Sequence, residues 1–257
     1  MIGELHKEVN IVKNRKIKNL DINNAFANSE EKMLEKFIEE FTCLNNSIIS
    51  GTFYGIMRTN KKCEECGIVK YSFQIFNTHI FDLDKLKDYK EEKYYGYHSN
   101  LTLMNCFYCF QNEEFFDKEN NIYCNDCRKY SKMRTKQYFY SLPRILIIIL
   151  NRGDNNNNNF KEHIDIPENL DFTQEYIFLD KNSYKKYKLI SVISLLGEGI
   201  SDGRSLAYVR IGNGDSFYCY DDENITEVQI DKVLIQKISK EKEEIITPYI
   251  LFYHYYK

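Results

Sequence analysis

The sequence predicts an α+β fold in which mixed, mainly antiparallel strands carry a few helices. Three stretches point to it. Ser205 to Ile211 alternates Leu206, Tyr208 and Arg210 with Ala207, Val209 and Ile211, and Ser216 to Tyr220 returns after the turn Gly212-Asn213-Gly214-Asp215, which reads as a hairpin. Ile145 to Leu150 is apolar at successive positions, the pattern of a strand buried on both faces in the middle of a sheet. Ser29 to Phe41 has helical spacing instead, with Met33, Leu34, Phe37, Ile38 and Phe41 on one stripe and Asn28 with Glu31 in the form of a capping box.

At 257 residues, 43% of them hydrophobic, the chain can bury one large core or two modest ones. The first residues, MIGELHKEVN, lack the apolar core of a signal peptide, and the aliphatic run from Ile145 to Leu150 is far shorter than the ~20 residues of a membrane-spanning helix. No membrane is expected as a partner. Six of the eight cysteines form three Cys-x-x-Cys pairs, which points to metal ligation in a reducing compartment, cytoplasm or nucleus, rather than to disulfides. The 35 Lys+Arg against 38 Asp+Glu leave no basic face for nucleic acid and suit a basic protein partner better.

In chain order, residues 1 to 27 are polar and aperiodic and read as an extended lead-in. Cys43, just beyond the helix, reads as a linker or core thiol. Gly51 to Gly67 leads as a strand into Cys63-x-x-Cys66, and Leu103-x-x-Cys106-Phe107-x-x-Phe110 forms an apolar helical face. After the aliphatic strand, Asp154 to Asn159 can bury nothing and must be a surface loop.

The stretch from Leu189 to Val228 resembles the histidine box of the ubiquitin-specific peptidases, papain-like cysteine proteases that cut after the C-terminal glycine of ubiquitin. That family carries Gly-His-Tyr-x-Ala-Tyr, a hairpin, and an aromatic-Asp-Asp; here stand Gly203-Arg204-Ser205-Leu206-Ala207-Tyr208 and Tyr220-Asp221-Asp222. The resemblance extends from Gly51 to the C-terminus. It includes Cys63-x-x-Cys66-Gly67, Tyr123-Cys124-x-x-Cys127, Leu142-Pro143 through Arg152, Ile164 to Leu170, and Pro248 to Tyr253. It implies a papain-like fold of this type: a residual thumb-like helix and linker in residues 1–50, then palm and fingers in 51–257, with the fingers at approximately 60–140. It also places Asp154 to Asn159 and Glu198 to Asp202 as two loops beside the ubiquitin tail, with Gly203, Tyr208 and Asp222 in the tail-binding region.

Two Cys-x-x-Cys pairs can hold one tetrahedral Zn²⁺. Spacing alone favours Cys106, Cys109, Cys124 and Cys127, because the 14 residues from 110 to 123 are close to a zinc-ribbon interval. Family order favours Cys63, Cys66, Cys124 and Cys127 as ligands of a structural zinc. We expect this second set, since Cys106 and Cys109 lie on an apolar face where cysteine acts as a small hydrophobe.

The resemblance also exposes what is missing. At the position of the catalytic histidine stands Arg204, whose guanidinium stays protonated and takes no proton from a thiol, and no histidine lies between His163 and His254. Asp221 keeps the place of the orienting carboxylate, so an Arg204–Asp221 ion pair is expected. Thr42-Cys43-Leu44-Asn45-Asn46-Ser47 is similar to the nucleophile box, but it runs almost at once into Gly51-Thr52-Phe53-Tyr54-Gly55, a start that follows the thumb in the family. Three readings result: an inactive relative that binds ubiquitin or acts as a scaffold, a divergent or fragmentary cysteine hydrolase whose nucleophile lies outside this chain, and a zinc-ribbon interaction domain unrelated to ubiquitin.

Overall fold

The structure, a computed structural model, describes residues 2–12, 29–93, 101–116, 121–152, 163–173, 180, 184–196, 204–212, 214, 216–234, 237–238 and 245–256. In chain order the elements are α1 (Ile2–Val9), α2 (Glu30–Leu44), α3 (Ile48–Phe53), β1 (Gly55–Cys63), β2 (Val69–Phe76), β3 (His79–Asp82), α4 (Leu83–Lys93), β4 (Leu101–Thr102), α5 (Leu103–Phe110), β5 (Glu114–Phe116), β6 (Ile122–Cys124), β7 (Lys129–Ser131), β8 (Met133–Ser141), β9 (Ile145–Asn151), β10 (Ile164–Asp165), β11 (Asn169–Asp171), β12 (Lys186–Leu196), β13 (Arg204–Arg210), β14 (Ser216–Asp221), β15 (Asn224–Gln229), α6 (Ile230–Leu234), β16 (Lys237–Ile238) and β17 (Ile245–Tyr255). All strand pairs are antiparallel except β3 with β9 and β4 with β10. The chain divides into two compact units.

The first unit comprises Met1–Asn77, Phe110–Arg144 and Glu175–Tyr184. Its four-stranded sheet has the order β2-β1-β8-β5. Gly55 opens β1 because nothing larger fits: a Cβ there would lie 2.5 Å from the Phe76 ring and 2.8 Å from the Ser141 carbonyl oxygen. Helix α2 packs Met33 and Phe37 against Phe73 of β2. Ile38, expected on the same buried stripe, is 39% exposed. The helix is capped by Ser29, whose hydroxyl accepts from the Lys32 amide, and not by Asn28, which lies outside the described residues. Arg58, buried in β1, pairs with Glu30 in the first turn of α2 and lies over the rings of Tyr71 and Tyr138, which ties the helix to the sheet.

The expected extended lead-in is corrected at its start, since Ile2–Val9 is a helix. His6 explains why so polar a segment is ordered: its buried ring takes Ser47 Oγ at Nδ1 (2.7 Å) and Asn45 Oδ1 at Nε2 (2.9 Å), and it lies 5.3 Å from the Tyr54 ring.

The second unit comprises Thr78–Cys109, Ile145–Gln174 and Lys185–Lys257. Its main sheet runs β15-β14-β13-β12-β17-β9-β3, with β11 on β12 and β16 on β17. The aliphatic strand β9 is therefore second from the edge and not central. Apolar residues on both of its faces record cover above and below, and the adjoining β3 is what keeps it from the rim. An edge-to-face run of rings, Phe81, Phe107, Phe172 and Tyr187, fills the interior, and the Tyr253 hydroxyl donates to the Pro167 carbonyl at 2.6 Å. The runs 154–159 and 198–202 lie outside the described residues.

Candidate functional sites: a cysteine cluster and an arginine–aspartate pair

In the first unit, two knuckles bring four sulfurs together. Cys63 ends β1, and the chain turns back through Gly67 (φ 71°), whose amide donates to the Cys63 carbonyl oxygen at 2.9 Å. Cys124 ends β6, and Arg128 repeats the turn with φ 56° and an amide donated to the Cys124 carbonyl oxygen at 2.7 Å. The two Cys-x-x-Cys turns thus share one backbone form, filled once by glycine and once by a residue for which the left-handed region is unfavourable.

The sulfurs of Cys63, Cys66, Cys124 and Cys127 all lie within 4.8 Å of one another, with Cys63 to Cys127 at 3.7 Å and Cys66 to Cys124 at 3.9 Å. Four thiolates on a tetrahedron of 2.3 Å radius would be about 3.8 Å apart, so the donor set fits zinc in chemistry and in spacing. The clustered thiols perturb one another's ionisation. Burial opposes ionisation of Cys63, but the Cys66 and Glu65 amides and the neighbouring thiols turned toward its sulfur bring its pKa down. Cys127, hydrogen-bonded to Cys66 and crowded by the same sulfurs, is pushed up.

Cys106 and Cys109, the pair favoured by spacing alone, are in the second unit on α5 and join no such cluster among the described residues. Cys106 is buried beside Leu103 and Phe107, and desolvation raises its thiol to about 12, as suits a small hydrophobe. Cys43 is neither linker nor core: it is an exposed thiol in the last turn of α2. The nearby imidazole of His6 has both nitrogens engaged by Ser47 and Asn45.

In the second unit, the residues of the histidine-box frame meet on one face of the β13–β14 hairpin. Arg204 opens β13 opposite Leu196, the last residue of β12, and Asp221 closes β14. Arg204 Nη2 lies 3.2 Å from Asp221 Oδ2, with the arginine side chain 53% exposed and the aspartate 29%. Tyr208 on the same face is buried, which raises its phenol far above the usual range. Asp222 follows in left-handed backbone (φ 52°), making the tight turn to Asn224 of β15. Gly203 lies outside the described residues.

Cys219, which the motif does not mark, stands directly across from Tyr208. Burial raises its thiol pKa against a hydrogen bond from Tyr208, so it is not poised as a nucleophile. Its place was readable only from the hairpin register, which depends on the turn. Six residues along, Arg210 is almost wholly enclosed: its Nη2 meets Glu168 at 2.6 Å, its Nε donates to the Leu189 carbonyl oxygen, and its guanidinium lies 4.7 Å over the Phe217 ring.

Among the described residues no helix is long and apolar enough to cross a membrane. Residues 5–253 match the family model of the ubiquitin carboxyl-terminal hydrolases, a match that starts within α1 and so reaches well before Gly51. The chain is 26% identical over 251 residues to ubiquitin carboxyl-terminal hydrolase 4 of Vanderwaltozyma polyspora, covering 87% of this chain and 26% of that protein. It is 29% identical over 126 residues to ubiquitin carboxyl-terminal hydrolase 17 of Arabidopsis thaliana, covering 48% of this chain and 17% of that protein. To ubiquitin carboxyl-terminal hydrolase 21 of Homo sapiens it is 25% identical over 206 residues, covering 78% of this chain and 33% of that protein. The chain thus spans a third or less of the length of these relatives. With a family model covering nearly all of its residues, the chain belongs to the ubiquitin carboxyl-terminal hydrolase family, in its ubiquitin-specific peptidase type.

Proposed function

We propose that this chain is a catalytically inactive member of its family that binds ubiquitin, or ubiquitin joined to another protein, without cutting it, and that it acts in the cytoplasm or nucleus. The observation that carries this reading is the Arg204–Asp221 ion pair. In a thiol hydrolase the residue beside the orienting carboxylate must accept the nucleophile's proton. A guanidinium has no lone pair to offer. Asp221 here neutralises a fixed cation, where in the family it would hold an imidazole in its working tautomer.

The second reading, a hydrolase whose nucleophile lies outside these residues, is favoured by the share of its relatives that the chain spans. It meets the same obstacle, because any thiol brought to this site would find Arg204 as its base. Loss of both nucleophile and base removes on the order of 10⁴-fold or more of rate. The cysteine cluster supports the binding role: Cys63, Cys66, Cys124 and Cys127 would hold one Zn²⁺, which when bound supplies a structural crosslink between the two knuckles.

The test is a fluorogenic ubiquitin substrate offered to the wild type, to Arg204→His, and to Arg204→His with Cys43→Ala, beside a direct titration with ubiquitin. Saturable binding with no turnover by any of the three is expected. Turnover by the wild type would refute the proposal. Turnover by Arg204→His that disappears in the double variant would make Cys43 a nucleophile.

A further inference from the structure

We propose that the Arg204 guanidinium, oriented by Asp221, is a receptor for a free C-terminal carboxylate, so that the site retains ubiquitin with a released tail in preference to ubiquitin joined through an amide. This narrows the ubiquitin-binding reading above and rests on it.

A guanidinium carries five N–H groups in a planar fork, and Asp221 engages Nη2 through one oxygen at 3.2 Å. The side chain is 53% exposed, so it reaches solvent while the ion pair holds it to the hairpin. Leu206, Tyr208 and Phe217 lie buried on the same face of the hairpin, so the cation stands at the rim of an apolar wall where charge is screened less than in open water.

The residue type then selects the ligand. A terminal carboxylate accepts two parallel N–H bonds from such a fork and brings a full charge, whereas the carbonyl of an amide-linked tail accepts without charge. The surroundings sharpen the choice. Asp221, Asp222 and Glu223 follow one another here, so a carboxylate settling at this end of the hairpin needs the charge of Arg204 to offset theirs. A neutral tail would lose less when Arg204 is removed, because it gives up a hydrogen bond but no ion pair.

The experiment titrates the full chain with three probes: ubiquitin with its free C-terminus, ubiquitin ending in a carboxamide, and ubiquitin lacking its last two glycines. The wild type should favour the free terminus over the carboxamide by up to about fivefold, the upper range of one ion pair at a half-exposed site. Arg204→Gln should abolish the preference, weakening binding of the free terminus more than binding of the carboxamide. Asp221→Asn, whose side-chain oxygen can still accept from Nη2 but carries no charge to compete, should keep the preference. Equal binding of free and amidated ubiquitin by the wild type would overturn this inference and leave the ubiquitin-binding reading intact. So would a preference that survives in Arg204→Gln. Binding of none of the three probes would overturn both. Because the wild-type comparison alone decides the first outcome, a variant that fails to fold does not shelter the proposal.

Discussion

The clearest pH-dependent consequence concerns His79. It lies in β3, 7% exposed, with its ring 4.6 Å from that of Phe81, and burial pushes its pKa from 6.5 down to about 4. The folded protein therefore holds the neutral imidazole where the unfolded chain would take up a proton. Above the unfolded pKa neither state is protonated and His79 imposes no pH dependence. As pH falls through 6.5 toward 4 the unfolded state binds the extra proton, and stability is lost. A shift of that size corresponds to a loss of about 3 kcal/mol once pH is below both values, and to about 2 kcal/mol at pH 5. The assay is urea unfolding of wild type and His79→Phe at pH 8 and pH 5. Costs that do not depend on pH, such as imperfect packing of the new ring, cancel in the double difference. Acid release of a metal from the cysteine cluster is common to both proteins and cancels as well. The variant should lose about 2 kcal/mol less than wild type between the two pH values. Equal losses would show that the imidazole is protonated, or solvated, within the folded state.

For the cysteine cluster, about one zinc per chain is expected by elemental analysis after gel filtration without chelator, and its loss in Cys63→Ser with Cys66→Ser. Less than roughly a tenth of an equivalent in the wild type, or undiminished metal in the double variant, would refute the assignment. At the second knuckle, Arg128→Gly relieves a positive φ and should raise stability by up to about 1 kcal/mol in urea unfolding of the metal-loaded protein. Gly67→Ala, at φ 71° in the matching turn, should lower it by a similar amount, and a loss from Arg128→Gly or a gain from Gly67→Ala would break the proposed equivalence of the turns.

How much of this was legible in the sequence differs between elements for physical reasons. The β13–β14 hairpin declared itself because one face is buried and the other is not, so Leu206 and Tyr208 alternate with half-buried neighbours. β15, the exposed edge strand, carries no such contrast and went unread. Helix α1 is eight residues long with a single buried side chain, and its order comes from contacts of His6 more than thirty residues away in sequence. No local pattern encodes these.

The cysteine pairs were visible as pairs, yet spacing pointed to the wrong partner for Cys124 and Cys127. Loop closure costs grow so slowly with length that 57 intervening residues are scarcely worse than 14, and the strand pairing of β1 with β8 decides which knuckles meet. The Arg204–Asp221 pair could be foreseen because a known frame fixed both positions. What the frame could not supply is the value of the contact.

That value is best judged against Arg210, on the same face of the same strand. Arg204 and Asp221 are both substantially solvated, and such pairs contribute roughly 0 to 1 kcal/mol, so Arg204→Ala should scarcely change stability. Arg210 differs in kind. Its side chain is 4% exposed, it meets Glu168 at 2.6 Å, and it donates to the Leu189 and Gly214 carbonyl oxygens while covering Phe217. Removing it leaves Glu168 with Lys188 at 3.5 Å, takes the donor from the Leu189 carbonyl and opens a void over the ring, which should cost about 2 kcal/mol. Parallel urea unfolding of the two alanine variants measures the contrast. If Arg204→Ala proved as costly as Arg210→Ala, Arg204 would be a structural member of the hairpin, and its presence at the catalytic position would need no ligand to explain it. If the contrast holds, stability does not account for a cation placed there, and binding is the property left to test.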